Sequence, residues 1–293
     1  MIDYNPKDWF KFIFRFHKAD TVRKLSSLLI MMAVYSAVVA YVMIDWLEIS
    51  EKSDLKNVSA MHSLLGFVIS MLLVFRTNTA YDRWWEGRKL WGGLVNNSRN
   101  LGIKLSGLLE PDQVEARLFF GVMIPNFAFV LKNHLRKKFI EKEFEELESF
   151  KIKDLDLSEH VPNQVAHIIF KKVVQLQHDG ILRAEHLLIL NSELQSLAET
   201  CGACERIKNT PIPFSYSSFL KKFIFFYCLT LPIGYVFSLH YFVVPFVVFI
   251  FYVLASLELI AEEIEDPFGV DANDLPTDQL CQGIRKTVHE LFL

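Results

Sequence analysis

Two cysteines three positions apart, in "CGAC" at 201–204, have the spacing of a redox dithiol or of half a zinc site. A redox dithiol opens a helix after a strand, whereas Cys201 and Cys204 lie within a helical stretch. A zinc site needs further ligands, and the other cysteines, Cys228 and Cys281, do not form a second pair. The motif reads better as small residues that let helices pack closely. The nine histidines are scattered without an HExxH or similar pairing. His62 and His240 are single residues that either line a pathway or pack. There is no phosphate-cradling glycine loop and no nucleophile elbow, so nothing in the sequence argues for an enzyme.

An acidic stretch, "LELIAEEIEDPFGVDANDLP", is more informative: Glu258, Glu262, Glu263, Glu265 and Asp266 precede a turn, and Asp271 and Asp274 follow it. Oxygen ligands gathered in a turn can hold Ca²⁺, which takes six to eight of them. The same acids also suit a solvated helix end. Phe67, Met71 and Phe75 repeat every four residues and share one helix face. Such a stripe packs against a neighbouring helix or, with several copies around an axis, lines an apolar constriction that gates by dewetting. Gly66 and Ser70 on nearby faces permit close helix approach.

These residues must be positioned by long helices. The chain has 293 residues, 52% of them hydrophobic and 22% charged, with a mean hydropathy of +0.24. A soluble domain carries about 45–50% apolar residues and roughly 25% charged ones, so a membrane protein with a substantial soluble part is expected. Net charge is −3, which excludes a global basic footprint and with it nucleic acid as a partner. Four cysteines are too few for a disulfide scaffold.

Four segments approach the length that crosses a bilayer, about 20 mostly apolar residues: 25–44, 58–74, 223–238 with Pro232, and 241–257 with Pro245. Only Leu239 and His240 separate the last two, which predicts a tight membrane hairpin. Lys18, Arg23 and Lys24 precede the first segment, a net acidic connection joins the first two, and Arg76, Arg83, Arg88 and Lys89 follow the second. Lys221 and Lys222 precede the third. The positive-inside tendency then puts both termini and the long middle region in the cytoplasm. Residues 1–24, with Trp9, Phe10, Phe12, Phe14 and Phe16 among basic residues, read as an amphipathic segment on the membrane surface or on the soluble part.

The expected organisation is an N-terminal segment (1–24), two spans (25–75), a helical cytosolic region (76–222), two further spans (223–261) and a cytosolic C-terminal segment (262–293). Within the middle region, residues 115–139 show an apolar stripe with a basic C-terminal end. Residues 163–180 repeat apolar positions at three and four and stop on Gly180. Residues 183–207 form a third helix, ended by the prolines of "NTPIPFSY". No strand alternation appears, and the fold class is an all-α membrane protein.

Three stretches, "RTNTAYDRWWEGRKLWG", "GACERIKNTPIPFSY" and "EEIEDPFGVDANDLP", resemble the bestrophin family in its bacterial branch, and the likeness runs from Trp9 to Asp278 in order and spacing. The resemblance implies a homopentameric ion channel in the bacterial cytoplasmic membrane, with four spans per subunit, a central pore and small monovalent ions as cargo. It places the pore neck on Phe67, Met71 and Phe75, where methionine stands in place of a usual isoleucine or phenylalanine. Residues 76–91 then continue the pore helix, with Asp82, Arg83, Glu86 and Arg88 in polar contacts and Trp84 and Trp85 wedging neighbours. The family's calcium clasp falls on Asp271 and Asp274 as side-chain ligands, with Glu263 and Asp266 near its carbonyl positions. Ala272 and Asn273 replace its remaining acids, so no cofactor is required and Ca²⁺ is the one candidate.

Counting back from Cys204 along an ungapped helix places Glu185 at the family's cytosolic aperture, usually an apolar position. Five glutamates around an axis would favour cations, which makes cation preference the leading expectation and an anion channel of the same fold the alternative. In a slipped register Leu182 or Leu188 faces the axis, and Glu185 pairs with Arg183 of a neighbour. A redox or metal protein using the "CGAC" dithiol is the more distant alternative.

Overall fold

The computed structural model describes residues 21–48, 58–138 and 140–292. The N-terminal segment expected over 1–24 lies outside these except for its last four residues, as do the charges at 51–56. Among the described residues the α-helices are α1 (Thr21–Tyr41), continued by a π-helical turn over Val42–Trp46, α2 (Val58–Leu108), α3 (Val114–Leu135), α4 (Val161–His178), α5 (Ala184–Asn209), α6 (Phe214–Leu239), α7 (Val243–Glu265) and α8 (Thr277–Phe292). No strand occurs among them; an isolated bridge joins Leu147 and Phe150.

Helix α2 runs 51 residues without a proline, so nothing removes a backbone donor along its length. At 1.5 Å per residue it is about 75 Å long, more than twice the ~30 Å hydrocarbon thickness of a bilayer. Its apolar first third passes without a break into the charged, tryptophan-rich stretch 75–91.

The described chain divides into two compact units. The first comprises Met1–Trp84, Pro211–Pro267 and Asp271–Asn273, and its core joins Met32 of α1, Ile69 and Leu73 of α2, Cys228 and Leu231 of α6, and Val247 of α7. Ile30, Val34, Val38, Phe226 and Phe249 are exposed on the same helices. Helices apolar on both the packed and the outward face suit a lipid surround. Pro232 lies inside α6. Pro245 sits in the first turn of α7, where an N–H would have no intrahelical partner. Between these helices His240 takes a left-handed φ of 47° and opens a 3₁₀ turn, His240–Phe242, closing the expected hairpin.

The second unit comprises Trp85–Thr210, Phe268–Val270 and Asp274–Leu293. Its centre is α3, which packs against α4, α5 and α8. Sequence predicted an apolar stripe here, but 17 of the helix's 22 residues are buried. Neighbours cover every face, so even its polar residues need partners. Lys132 meets Glu143 at 2.6 Å and Asp278 at 2.8 Å. The Asn126 side chain exchanges hydrogen bonds of 2.8 and 3.0 Å with the Glu145 backbone. Helix α4 ends where expected, at Gly180 with φ 77°, and α5 stops at Asn209, before Pro211 and Pro213.

Among the described residues, four stretches of helix are long and apolar enough to cross a membrane: Thr21–Trp46, Ala60–Leu108, Val114–Leu135 and the helical pair within Phe214–Glu265. The first, second and fourth contain the four segments expected from sequence. Val114–Leu135 differs from them in being 78% buried by protein, against 22–33% for the others. Its apolar character is satisfied by its own unit.

Candidate functional site

Along α2 the 3.6-residue period separates two apolar rows. Ile69 and Leu73 are 0 and 1% exposed, whereas Phe67, Met71 and Phe75 are 68, 51 and 55% exposed. The protein chain covers the first row and leaves the second open. Several contacts fix which row points outward. A Cβ added at Gly66 would lie 2.8 Å from the Tyr227 hydroxyl, so glycine leaves room for the tip of that side chain. Ser70 returns its hydroxyl to the Gly66 carbonyl at 2.7 Å. Tyr216 donates to the Leu72 carbonyl at 2.8 Å. His62, 2% exposed, is within 2.9 Å of the Thr230 hydroxyl and packs beside Tyr227 and Tyr235. It is a packed residue and lines no open pathway within the chain.

Directly below Phe75, Arg76 is 1% exposed. It reaches Glu265 at 2.7 Å and Glu258 at 3.3 Å. The other oxygen of Glu265 accepts the Ile212 N–H at 2.6 Å. This hub ties the base of the apolar row to α7 and to the chain entering α6. From the sequence Arg76 reads only as a boundary charge. The available signal was an arginine closing one apolar helix while acids at 258 and 265 close another. Further along α2, Arg83 donates to the Glu265 carbonyl at 3.0 Å and Trp84 to the Asn273 carbonyl at 3.0 Å, so Trp84 is anchored by its indole N–H. Glu86 meets Arg206 at 2.5 Å, whereas Trp85 stays 47% exposed.

Glu185 lies in the first turn of α5 and is exposed. Leu182 is 1% exposed and Leu188 80%, so of the two leucines weighed as its substitutes only Leu188 shares its outward side. Lys104 of α2 fixes this part of α5, donating to the Ile189 carbonyl at 2.8 Å and to Glu193 at 2.7 Å. Burial alone would raise the Glu193 carboxyl; hydrogen bonds, from Lys104 first, outweigh it and hold the group below its ordinary value.

At the acidic turn, one Glu263 oxygen accepts from Lys24 and the other from the Asn273 amide at 2.6 Å. The Asn273 carbonyl is the acceptor for Trp84. Asp271 is exposed, Asp266 half-buried and Asp274 2% exposed. Among the described residues these acids form no metal-spaced cluster. Cys201 and Cys204 are 1 and 0% exposed. Burial, with the Glu205 carboxylate adding to it, pushes both thiols up to about 12. Thiols held that high supply no thiolate at neutral pH, which removes the dithiol chemistry that "CGAC" offered.

The chain matches the family model described as bacterial/fungal bestrophin protein over residues 1–290. It is 38% identical over 233 residues to a protein of Nostoc named voltage-dependent anion channel-forming protein, covering 77% of this chain and 75% of that one. It is 35% identical over 289 residues to the Escherichia coli O157:H7 voltage-dependent anion channel-forming protein YneE, covering 97% and 91%. A crystal structure of a bacterial bestrophin homologue from Klebsiella pneumoniae superposes with a TM-score of 0.81 at 30% identity, over 92% of this chain and 100% of that one. The apolar helices, the all-α architecture and these likenesses agree: the chain belongs to the bacterial and fungal bestrophin family, a family of membrane-embedded ion channels, not enzymes.

Proposed function

We propose that five copies of the chain assemble around a central axis in a bacterial cytoplasmic membrane, with both termini on the cytoplasmic side. The resulting pore passes small monovalent ions, anions in preference. The observation that carries the pore is the open row on α2: Phe67, Met71 and Phe75 are each more than half exposed on a helix whose opposite row is buried. Around an axis, the row makes an apolar neck that conducts when wetted. The preference for anions rests on the relatives in Nostoc and Escherichia coli, both named as anion channel-forming proteins. An apolar neck adds little charge preference of its own.

Cation preference is the second reading. One observation favours it: the Glu185 carboxylate is exposed while Leu182 is buried. No cofactor is needed for either reading. Calcium at Asp271 and Asp274, assisted by Glu263 and Asp266, is the least supported reading, because Ala272 and Asn273 leave few acids at the turn and these four form no metal-spaced cluster among the described residues. The deciding experiment is purified protein in planar bilayers under a potassium chloride gradient. A reversal potential toward the chloride equilibrium value supports the anion reading, and one toward potassium supports the cation reading. Silent bilayers would overturn the pore itself.

A further inference from the structure

Three side chains from three helices converge in the second unit, far apart in sequence. His134 is in the last turn of α3, His160 caps the start of α4, and Glu205 is on α5. Both imidazole Nε2 atoms contact the same Glu205 oxygen, at 2.7 Å from His134 and 2.8 Å from His160. The two rings are 4.6 Å apart. All three ligand atoms lie within 4.8 Å of one another. The geometry points to a binding site for a divalent transition-metal ion of the zinc class, held by His134, His160 and Glu205.

The donor set is the first argument. Two imidazoles and one carboxylate are a zinc donor set that leaves a fourth position open, and imidazole ligands select against calcium and magnesium. Zinc bonds of about 2.0–2.2 Å at tetrahedral angles set ligand atoms roughly 3.4 Å apart. The hydrogen-bonded separations must therefore open by about 0.6–0.7 Å, and side chains about a third exposed have room for it. The helices that carry them pack against one another pairwise, so the convergence is built into the unit.

His134 and Glu205 line a cavity of about 340 Å³, so the triad opens onto space for a fourth ligand. Lys137, Lys138 and Lys208 also line the cavity. They oppose a bare dication and favour one whose open position holds hydroxide or a small anion.

Metal binding has a definite cost. The His160 Nδ1 accepts the Asn163 N–H at 3.2 Å, so the neutral ring carries its proton on Nε2 and donates it to Glu205. A metal on Nε2 moves that proton to Nδ1 and gives up this long cap bond.

The test uses full-length, metal-stripped protein in detergent, titrated calorimetrically with zinc chloride alone. One zinc per chain and a higher Tm are expected. His134→Ala, His160→Ala and Glu205→Gln should each weaken binding at least about tenfold. Cys201→Ala combined with Cys204→Ala should leave it intact. A chelator should strip the zinc from the unaltered protein and return its Tm to the metal-free value, a readout that does not depend on a variant folding. No binding to the unaltered protein overturns the site, as does equal binding by the three variants or loss of binding with the cysteines.

Discussion

Arg76 and Glu265 are joined at 2.7 Å with the guanidinium 1% exposed, and this one pair fixes the end of the open apolar row against α7. Glu258 shares the cation at 3.3 Å. Removing one partner of a buried pair strands the other charge, which costs about 3–5 kcal/mol. Arg76→Gln, which leaves two carboxylates facing each other, should therefore lower Tm sharply in detergent. Adding Glu258→Gln and Glu265→Gln to it should recover part of the loss. A Tm unchanged by Arg76→Gln alone would mean the charges are solvated.

Phe67, Met71 and Phe75 make no core contact that their truncation would remove, since all three are more than half exposed. Replacing all three with alanine should leave the unfolding temperature of the subunit nearly unchanged. The same variant should raise single-channel conductance and weaken gating, because a wider neck stays wetted. Unchanged currents would place the controlling constriction elsewhere.

Asp278 gives a pH-dependent prediction. Burial alone would raise its carboxyl, but hydrogen bonds from Arg136 and then Lys132 outweigh it and bring it down to about 2. A folded value below the unfolded one of about 3.9 contributes stability that is present above pH 4 and lost as pH falls toward 2. Asp278→Asn should therefore destabilise the protein at neutral pH, where Lys132 keeps only Glu143 among its carboxylate partners. Its unfolding curve should converge with that of the unaltered protein near pH 2. A constant gap across the whole range would show that packing, not charge, matters at this position.

The chain's spans, the helical hairpin and the stops at Gly180 and Pro211 were legible because each depends on a local property: apolar length, a missing donor or a left-handed φ. The continuation of α2 over 76–91 followed only from the family resemblance, and its further run to Leu108 was not read, although no proline interrupts it. Burial of α3 was not legible either. An apolar helix reads alike whether one face or every face is covered, and only the surrounding α4, α5 and α8 decide. The Arg76 hub and the grouping of His134, His160 and Glu205 are tertiary. Their members come from separate helices, and no periodicity relates positions 134, 160 and 205. Leu182 and Glu185 fall between these cases: the helix start could be read, whereas which of the two is covered depends on packing.

Calcium should have no effect on this chain. Ala272 and Asn273 leave few acids after the turn, and Asp271, Asp274, Glu263 and Asp266 form no metal-spaced cluster among the described residues. Thermal stability and currents should be flat across micromolar Ca²⁺, and Asp271→Ala with Asp274→Ala should match the unaltered protein. A calcium-dependent rise in Tm that the double variant loses would reverse this expectation.

Glu185 decides between the two ion preferences. It is exposed at the start of α5, on a segment that Lys104 fixes through Ile189 and Glu193, so its placement in an assembly is set by a rigid helix. If five copies bring it to the axis, their charges form the ring that cation channels use. Under the anion reading the ring is off the axis, and Leu188, 80% exposed, takes the aperture. Glu185→Gln keeps the size and removes the charge. With the ring on the axis, it should shift the reversal potential in a salt gradient toward the chloride value. With Leu188 on the axis, Glu185→Gln leaves the reversal potential alone, and Leu188→Ala raises conductance instead.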